Sequence, residues 1–130
     1  MNTKTQSYVM AIARVLMALI FILSGLSKIS AAAAMRGYME TMGLPRWLLW
    51  PTIFFEIGTG VLIVVGFETR IAASLLAGFC LVTAAIFHSQ FSDQVQMIMF
   101  LKNLTMAGGF ALLASVGPGR LSADARRVPT

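Results

Sequence analysis

Four stretches of this chain contain almost nothing that water can solvate. Each is close to the ~20 residues a helix needs to cross a 30 Å hydrocarbon core. They run over about 8–28, 47–66, 70–90 and 97–116. No repeated segment alternates apolar and polar residues with the two-residue period of a barrel strand, so helices are the spanning element. The expected fold is an all-α membrane protein, a four-transmembrane-helix antiparallel bundle forming one domain over 1–130, with a basic C-terminal tail at 117–130. Composition agrees: 58% of the residues are hydrophobic and 12% charged, more apolar surface than a soluble chain of this length can bury.

The connections support the same division. Residues 31–44 are longer and mixed, ending in Gly43-Leu44-Pro45. Pro45 suits the opening of the second helix, Pro51 bends its entry or delays its start, and Trp47 and Trp50 suit a membrane–water interface. Gly66-Phe67-Glu68-Thr69-Arg70 is a tight turn, which makes the second and third helices antiparallel neighbours. Ser89 to Gln96 is polar, and Gly117-Pro118-Gly119 ends the last helix.

The net charge of +5 comes from basic residues scattered singly, with no basic run interleaved with aromatics. That pattern argues for topology control and contact with anionic membrane lipids, and against nucleic acid. With four spans both ends of the chain lie on one side. Outside the spans that side carries Lys4, Arg70, Arg120, Arg126 and Arg127, and the opposite side Arg36 and Arg46. The positive-inside rule then places both termini in the cytoplasm of a cell with an inner membrane. A cleaved secretory leader is the competing account of the first segment. Arg14 interrupts its apolar stretch, however, and Lys28 stands where small neutral residues are needed. Cys80 is the single cysteine, so no internal disulfide or paired-thiol redox chemistry is available.

Polar groups inside the spans are costly in lipid and mark the candidate site. Lys28 closes the first span, Glu56 lies roughly 13 Å into the second, His88 and Gln90 close the third, and Lys102 and Asn103 lie roughly 8–10 Å into the fourth. Helix polarity places all of them in the half of the membrane away from the termini. A buried Glu56 is best accommodated by pairing with Lys28 or Lys102. The bland alternatives are an ion-paired cluster that only fastens helices, and a Lys28 that reaches the interface alone. One histidine with one carboxylate is too small a donor set for a tight zinc site, so no metal is expected.

Arg14 lies nearer the terminal side, where it either pairs with Glu68 or extends to lipid phosphate, the second being expected. Ala73 and Ala77, Ser74 and Gly78, Thr105 and Gly109, and Ala107 and Ala111 form small-residue pairs for helix packing or oligomer contacts. Gly58 and Gly60 flank Thr59 just after Glu56 and suit a close helix approach, or a flat ligand. Met35, Met39 and Met42 share a helical face. Thioethers can bind Cu(I), but a Met-rich, lipid-facing stripe on an interfacial helix is the simpler reading.

An ordered series of motifs is similar to the DoxX family. It comprises Arg14-Val15 through FILSGLSK ending at Lys28, GYMETMGLP at 37–45 and EIGTGVLIVVGFETRIAA at 56–73. It continues with His88, KNLTMAGG at 102–109 and GPGRLSAD at 117–124. Thr59 departs from a further glycine common in related sequences. The resemblance implies a four-helix inner-membrane protein related to the DoxD-type subunit of thiosulfate–quinone oxidoreductases, associated with redox or sulfur metabolism. It carries over Lys28, Glu56, His88, Lys102 and Asn103, the residues also selected by depth.

The leading expectation is therefore a redox-associated subunit binding a quinone headgroup or another small polar ligand. Glu56 and His88 would handle protons, and Lys28, Lys102 and Asn103 would bind the ligand. The chain holds no residues that carry electrons alone, so a quinone or a haem- or flavin-bearing redox partner is required. The rival expectation is a non-catalytic anchor or assembly protein. A solute carrier is disfavoured by the lack of broken helices or an inverted repeat.

Overall fold

A computed structural model describes residues 2–127. The four apolar stretches form helices α1 (Thr3–Ser30), α3 (Leu49–Val65), α4 (Thr69–Phe87) and α5 (Gln94–Val116). Between the first two lies a shorter helix, α2 (Ala32–Thr41), and a 3-10 turn, Arg46–Leu48, leads into α3. A short helix, α6 (Ala123–Arg127), follows α5, so the expected tail is structured up to Arg127. Its last three positions lie outside the described residues.

Helix limits follow local chemistry. Asn2 caps α1, its side chain accepting from the Thr5 N–H at 2.8 Å, so the helix begins several residues before the apolar stretch does. Pro45 is extended and Pro51 falls in the first turn of α3, where its missing N–H leaves no bond unmade. Gly66, at φ 71°, closes α3 in the left-handed conformation, with the Gly66 and Phe67 N–H groups both returning to Leu62 O. The third span is shorter than expected: α4 stops at Phe87, His88 is its C-cap, and Gln90 lies in the exposed loop beyond.

The large apolar side chains that face outward, such as Leu16, Ile20 and Leu23 of α1 or Phe54 of α3, would be untenable in water. They are the lipid-facing surface of a bundle with four spanning helices. Inside, the packing is uneven. α1 packs most closely on α3, and α4 on α5. The α3–α4 turn makes those two antiparallel neighbours as expected, but their shared contact is smaller.

Glycine explains the closeness of α1 and α3. A Cβ added at Gly25 would stand 2.5 Å from Ile57 Cγ1, and one at Gly60 2.7 Å from Ile22 Cγ1. Gly60 thus serves helix packing, while Gly58 faces open space. Of the small-residue pairs, Ala73 and Ala107 are buried in the core, and Gly109 packs near Met17 Cε. Ser74 and Gly78 point outward.

Between the two helix pairs lies an aromatic tier. Phe21 meets Phe110 edge-on, with centroids 5.5 Å apart, and Phe79 at 6.2 Å; Phe79 in turn touches Phe55 at 5.1 Å. Ala18, Ile63, Leu76 and Cys80 close the space around it. Edge-to-face contact sets the positive rim of one ring on the negative face of the next, which makes the tier tight as well as apolar.

Below the tier, toward the chain ends, the ends of α3, α4 and α5 are each met by a side chain of complementary polarity. Arg14 is 2% exposed and donates to the last carbonyls of α3, Ile63 O at 3.3 Å and Val64 O at 3.2 Å, and to Leu121 O in the segment after α5. This corrects the expectation from sequence: Arg14 neither reaches lipid phosphate nor pairs with Glu68. The helix end offers it a cluster of carbonyls otherwise without donors, carrying the negative pole of the macrodipole. Arg70 does the same for α5, donating to Ala114 O at 2.9 Å and Ser115 O at 2.6 Å.

At the N-terminus of α4 the polarity reverses. The Asp124 carboxylate, reaching back from α6, accepts from the Glu68 N–H at 2.8 Å and the Thr69 N–H at 2.9 Å. Its own N–H donates to Gly66 O at 2.8 Å. Glu68 holds a positive φ of 48°, a conformation that disfavours a side chain. Asp124 pins its backbone there, and Arg127 pairs with its carboxylate at 2.7 Å. Partial burial works against the charged form of Asp124. The hydrogen bonds from Thr69 and Glu68 and the Arg127 charge outweigh it and hold the Asp124 pKa below its ordinary value of 3.8.

Candidate ligand-binding site

Above the aromatic tier the two helix pairs separate and enclose a cavity of ≈ 450 Å³, within the range that holds small organic ligands. All five residues selected from the sequence line it: Lys28, Glu56, His88, Lys102 and Asn103. Each is placed by its own helix. Lys28 is in the last turn of α1, Glu56 near the middle of α3 and His88 at the C-cap of α4, while Lys102 and Asn103 lie in the third turn of α5.

Of the two lysines that could neutralise Glu56, the structure selects Lys28, whose Nζ binds Glu56 Oε1 directly. Ser24, one turn earlier on α1, accepts a second hydrogen bond from Lys28 at 3.1 Å. This contradicts a Lys28 that extends to the interface alone. Glu56 is 2% exposed and Lys28 20%, so the pair sits at the cavity wall with the cation nearer the opening. The other carboxylate oxygen, Oε2, is buried with no hydrogen-bond partner among the described residues. A buried acceptor left unpaired costs about 1–3 kcal/mol, which makes it a candidate ligand contact.

The remaining polar groups do not join that pair. His88 Nδ1 faces Gln96 Oε1 at 3.2 Å, Asn103 Nδ2 donates to Met99 O on its own helix at 3.0 Å, and Lys102 is exposed. Thr52 and Thr83, also at the wall, spend their hydroxyls on Leu48 O at 2.7 Å and Phe79 O at 2.9 Å. The site is thus a ring of separate groups around an apolar space, with one ion pair in its wall.

Sequence reasoning missed much of that space. Met35, Tyr38 and Met39 of α2 line the cavity, and Met39 and Met35 pack with Leu49 and Ile53. Met35 and Met39 therefore point inward, because the segment folds back over the bundle, while Met42 stays exposed. Tyr38 stacks on Phe87 at the end of α4, centroids 5.5 Å apart and 23° between planes, closing α2 across the cavity. Met99 and Met106 complete the wall from α5. The i, i+4 spacing of Met35 and Met39 was a legible signal; the direction it faces was not.

Residues 9–89 match the family described as DoxX. The chain is 49% identical over 113 residues to inner membrane protein YqjF of Escherichia coli (strain K12), covering 87% of each chain. It is 40% identical over 122 residues to inner membrane protein YphA of the same organism, covering 88% of this chain and 87% of that one. No solved structure gives a significant match.

Proposed function

The chain belongs to the DoxX family and is a multi-pass inner-membrane protein, and from that premise we propose that it is a redox-associated subunit whose cavity takes a quinone headgroup. The observation that carries this reading is Glu56 Oε2, buried and unpartnered in the wall of an apolar cavity where Lys102 and His88 also stand. Phe21, Phe79, Tyr38 and the methionines suit a flat ring, and thioethers adapt readily around aromatics.

A quinone supplies two-electron, two-proton redox chemistry when bound, which the side chains alone lack. The residues bind and manage protons. Lys102 donates to a ring oxygen, and Glu56 and His88 exchange protons with the ring oxygens. Lys28 holds the Glu56 carboxylate at the wall through Oε1, leaving Oε2 for a ligand. Electrons pass to or from a partner protein that carries a haem or flavin.

A second reading has one observation behind it. The Lys28–Glu56 pair also joins α1 to α3, which is what a purely structural anchor would need. The two separate on Glu56→Gln and His88→Gln. Both variants should fold and insert yet lose the quinone co-extracted with the wild-type protein from its native membrane. Folded variants that retain native quinone and complement a deletion strain would establish the anchor instead.

Both termini face the cytoplasm in this reading, from the excess of basic residues at that end. Gly37→Cys and Arg126→Cys, each in a Cys80→Ala background, test it. An impermeant thiol reagent on intact cells should label the first and spare the second; the opposite pattern reverses the orientation.

A further inference from the structure

The cavity offers a ligand more acceptors than its residue list suggests, and the cause lies one residue behind its wall. Gln96, in the first turn of α5, does not line the cavity, but its side-chain oxygen stands 3.2 Å from His88 Nδ1. An amide oxygen only accepts, so this contact is a hydrogen bond when Nδ1 carries the hydrogen. A neutral imidazole has one, and Nε2 is then left as a bare lone pair. His88 is itself a cavity residue.

Its neighbours point the same way. Glu56 Oε2 is an acceptor without a donor. Asn103 has turned its amide nitrogen to Met99 O, which leaves its oxygen as the other end of the group. Lys102 is the exception, a donor only, exposed at the wall and paired with no carboxylate among the described residues.

We propose that Gln96 is a positioning residue that fixes His88 as the Nδ1–H tautomer. The cavity thereby favours a ring that leads with hydroxyl groups over one that carries only carbonyl oxygens. Resting on the quinone reading above, this makes the reduced, dihydroxy form the preferred ligand. Its two O–H groups donate to Glu56 Oε2 and His88 Nε2, acceptors the oxidised form would leave unsatisfied. Release of those protons to the two bases accompanies departure of two electrons to the partner's redox group, leaving the dicarbonyl ring.

The chain has a single histidine, so protein labelled with 15N-histidine gives one imidazole, read without assignment. In bilayers at pH 8.5, above the usual imidazole range, Nδ1 should give the protonated-type signal and Nε2 the bare-nitrogen signal. Gln96→Leu should shift the population toward the Nε2–H form. Gln96→Glu, whose carboxylate also accepts from Nδ1, should keep the wild-type pattern and guards against misfolding of the leucine variant. Protonated Nε2 in the wild type, or a tautomer indifferent to Gln96→Leu in folded protein, overturns the assignment.

Short-tailed quinol and quinone, titrated separately under anaerobic conditions, test the ligand preference. The wild type should bind the quinol about tenfold more tightly, a ratio worth roughly one to two hydrogen bonds, and Gln96→Leu should shrink that ratio. Equal affinities overturn the preference while leaving the quinone site standing. Binding of neither probe overturns the quinone reading and the preference together, whereas the nitrogen spectrum judges the tautomer in either event.

Discussion

The two ends of this bundle solve the same electrostatic problem differently. At the end near the termini, Arg14, Arg70 and Asp124 each meet backbone groups that helix geometry leaves without partners. Charge meets dipole locally there, although Arg14 Nε and Thr69 Oγ1 stay buried without partners among the described residues. At the far end, Glu56 is only half satisfied, Lys102 is unpaired among the described residues, and the helix pairs stand apart around a cavity. The aromatic tier of Phe21, Phe79 and Phe110 divides the two regimes. Polar residues at similar depths can therefore serve opposite purposes, and their backbone partners tell which.

This contrast can be broken most directly at Arg14. Arg14→Ala strips donors from Ile63 O, Val64 O and Leu121 O together and should lower stability by about 3 kcal/mol. Unfolding in detergent measures it, and ligand binding by the folded fraction should persist. A loss below about 0.5 kcal/mol would mean that lipid or water replaces the arginine freely.

Glu56→Ala sharpens the other side. Removing one member of a fully buried pair costs about 3–5 kcal/mol, but Lys28 is 20% exposed at the cavity wall and can be solvated there. A loss of about 1–2 kcal/mol is expected, smaller than that for Arg14→Ala, together with loss of ligand. A double-mutant cycle with Lys28→Met should show coupling; stability indifferent to both changes would remove the pair from the account.

The smallest effect falls on Asp124. Asp124→Ala should lower stability by about 1 kcal/mol, as for other helix caps. The pH dependence has a definite sign. The folded pKa lies below the ordinary 3.8, so Asp124 contributes stability that is present above that value. The contribution declines as pH falls through 3.8 toward the lower folded-state pKa. Unfolding followed from pH 6 to pH 3 should show this decline in the wild type, and a shallower one in Asp124→Ala.

Much of this was legible in the amino-acid order. The spans follow from apolar length, and the five cavity residues from helix parity and depth, because a polar group in lipid is conspicuous wherever it stands. Arg14 was equally conspicuous and was misread. Sequence shows that a charge needs a partner, but its acceptors are backbone carbonyls of Ile63, Val64 and Leu121, and every residue has a carbonyl. Gln96 was invisible for the converse reason: it lies in a polar connection, where a glutamine needs no explanation. The methionines of α2 gave the right period and the wrong face, because orientation depends on whether Tyr38 finds Phe87.

The Arg14 and Asp124 contacts also bear on how such a protein is made. Consecutive spans form two hairpins, α1 with α3 and α4 with α5, and the first carries its own neutralised charge pair, Lys28 with Glu56. It can enter the bilayer as a finished unit. Leu121 and Asp124 follow all four spans in the chain, yet they grip both hairpins, one through Arg14 and the other through the start of α4. The clasp thus adds to the aromatic tier the last contacts to be made between the hairpins. A chain truncated before residue 121 should keep its four spans but hold them less firmly at this end, and so be more open to surveillance proteases.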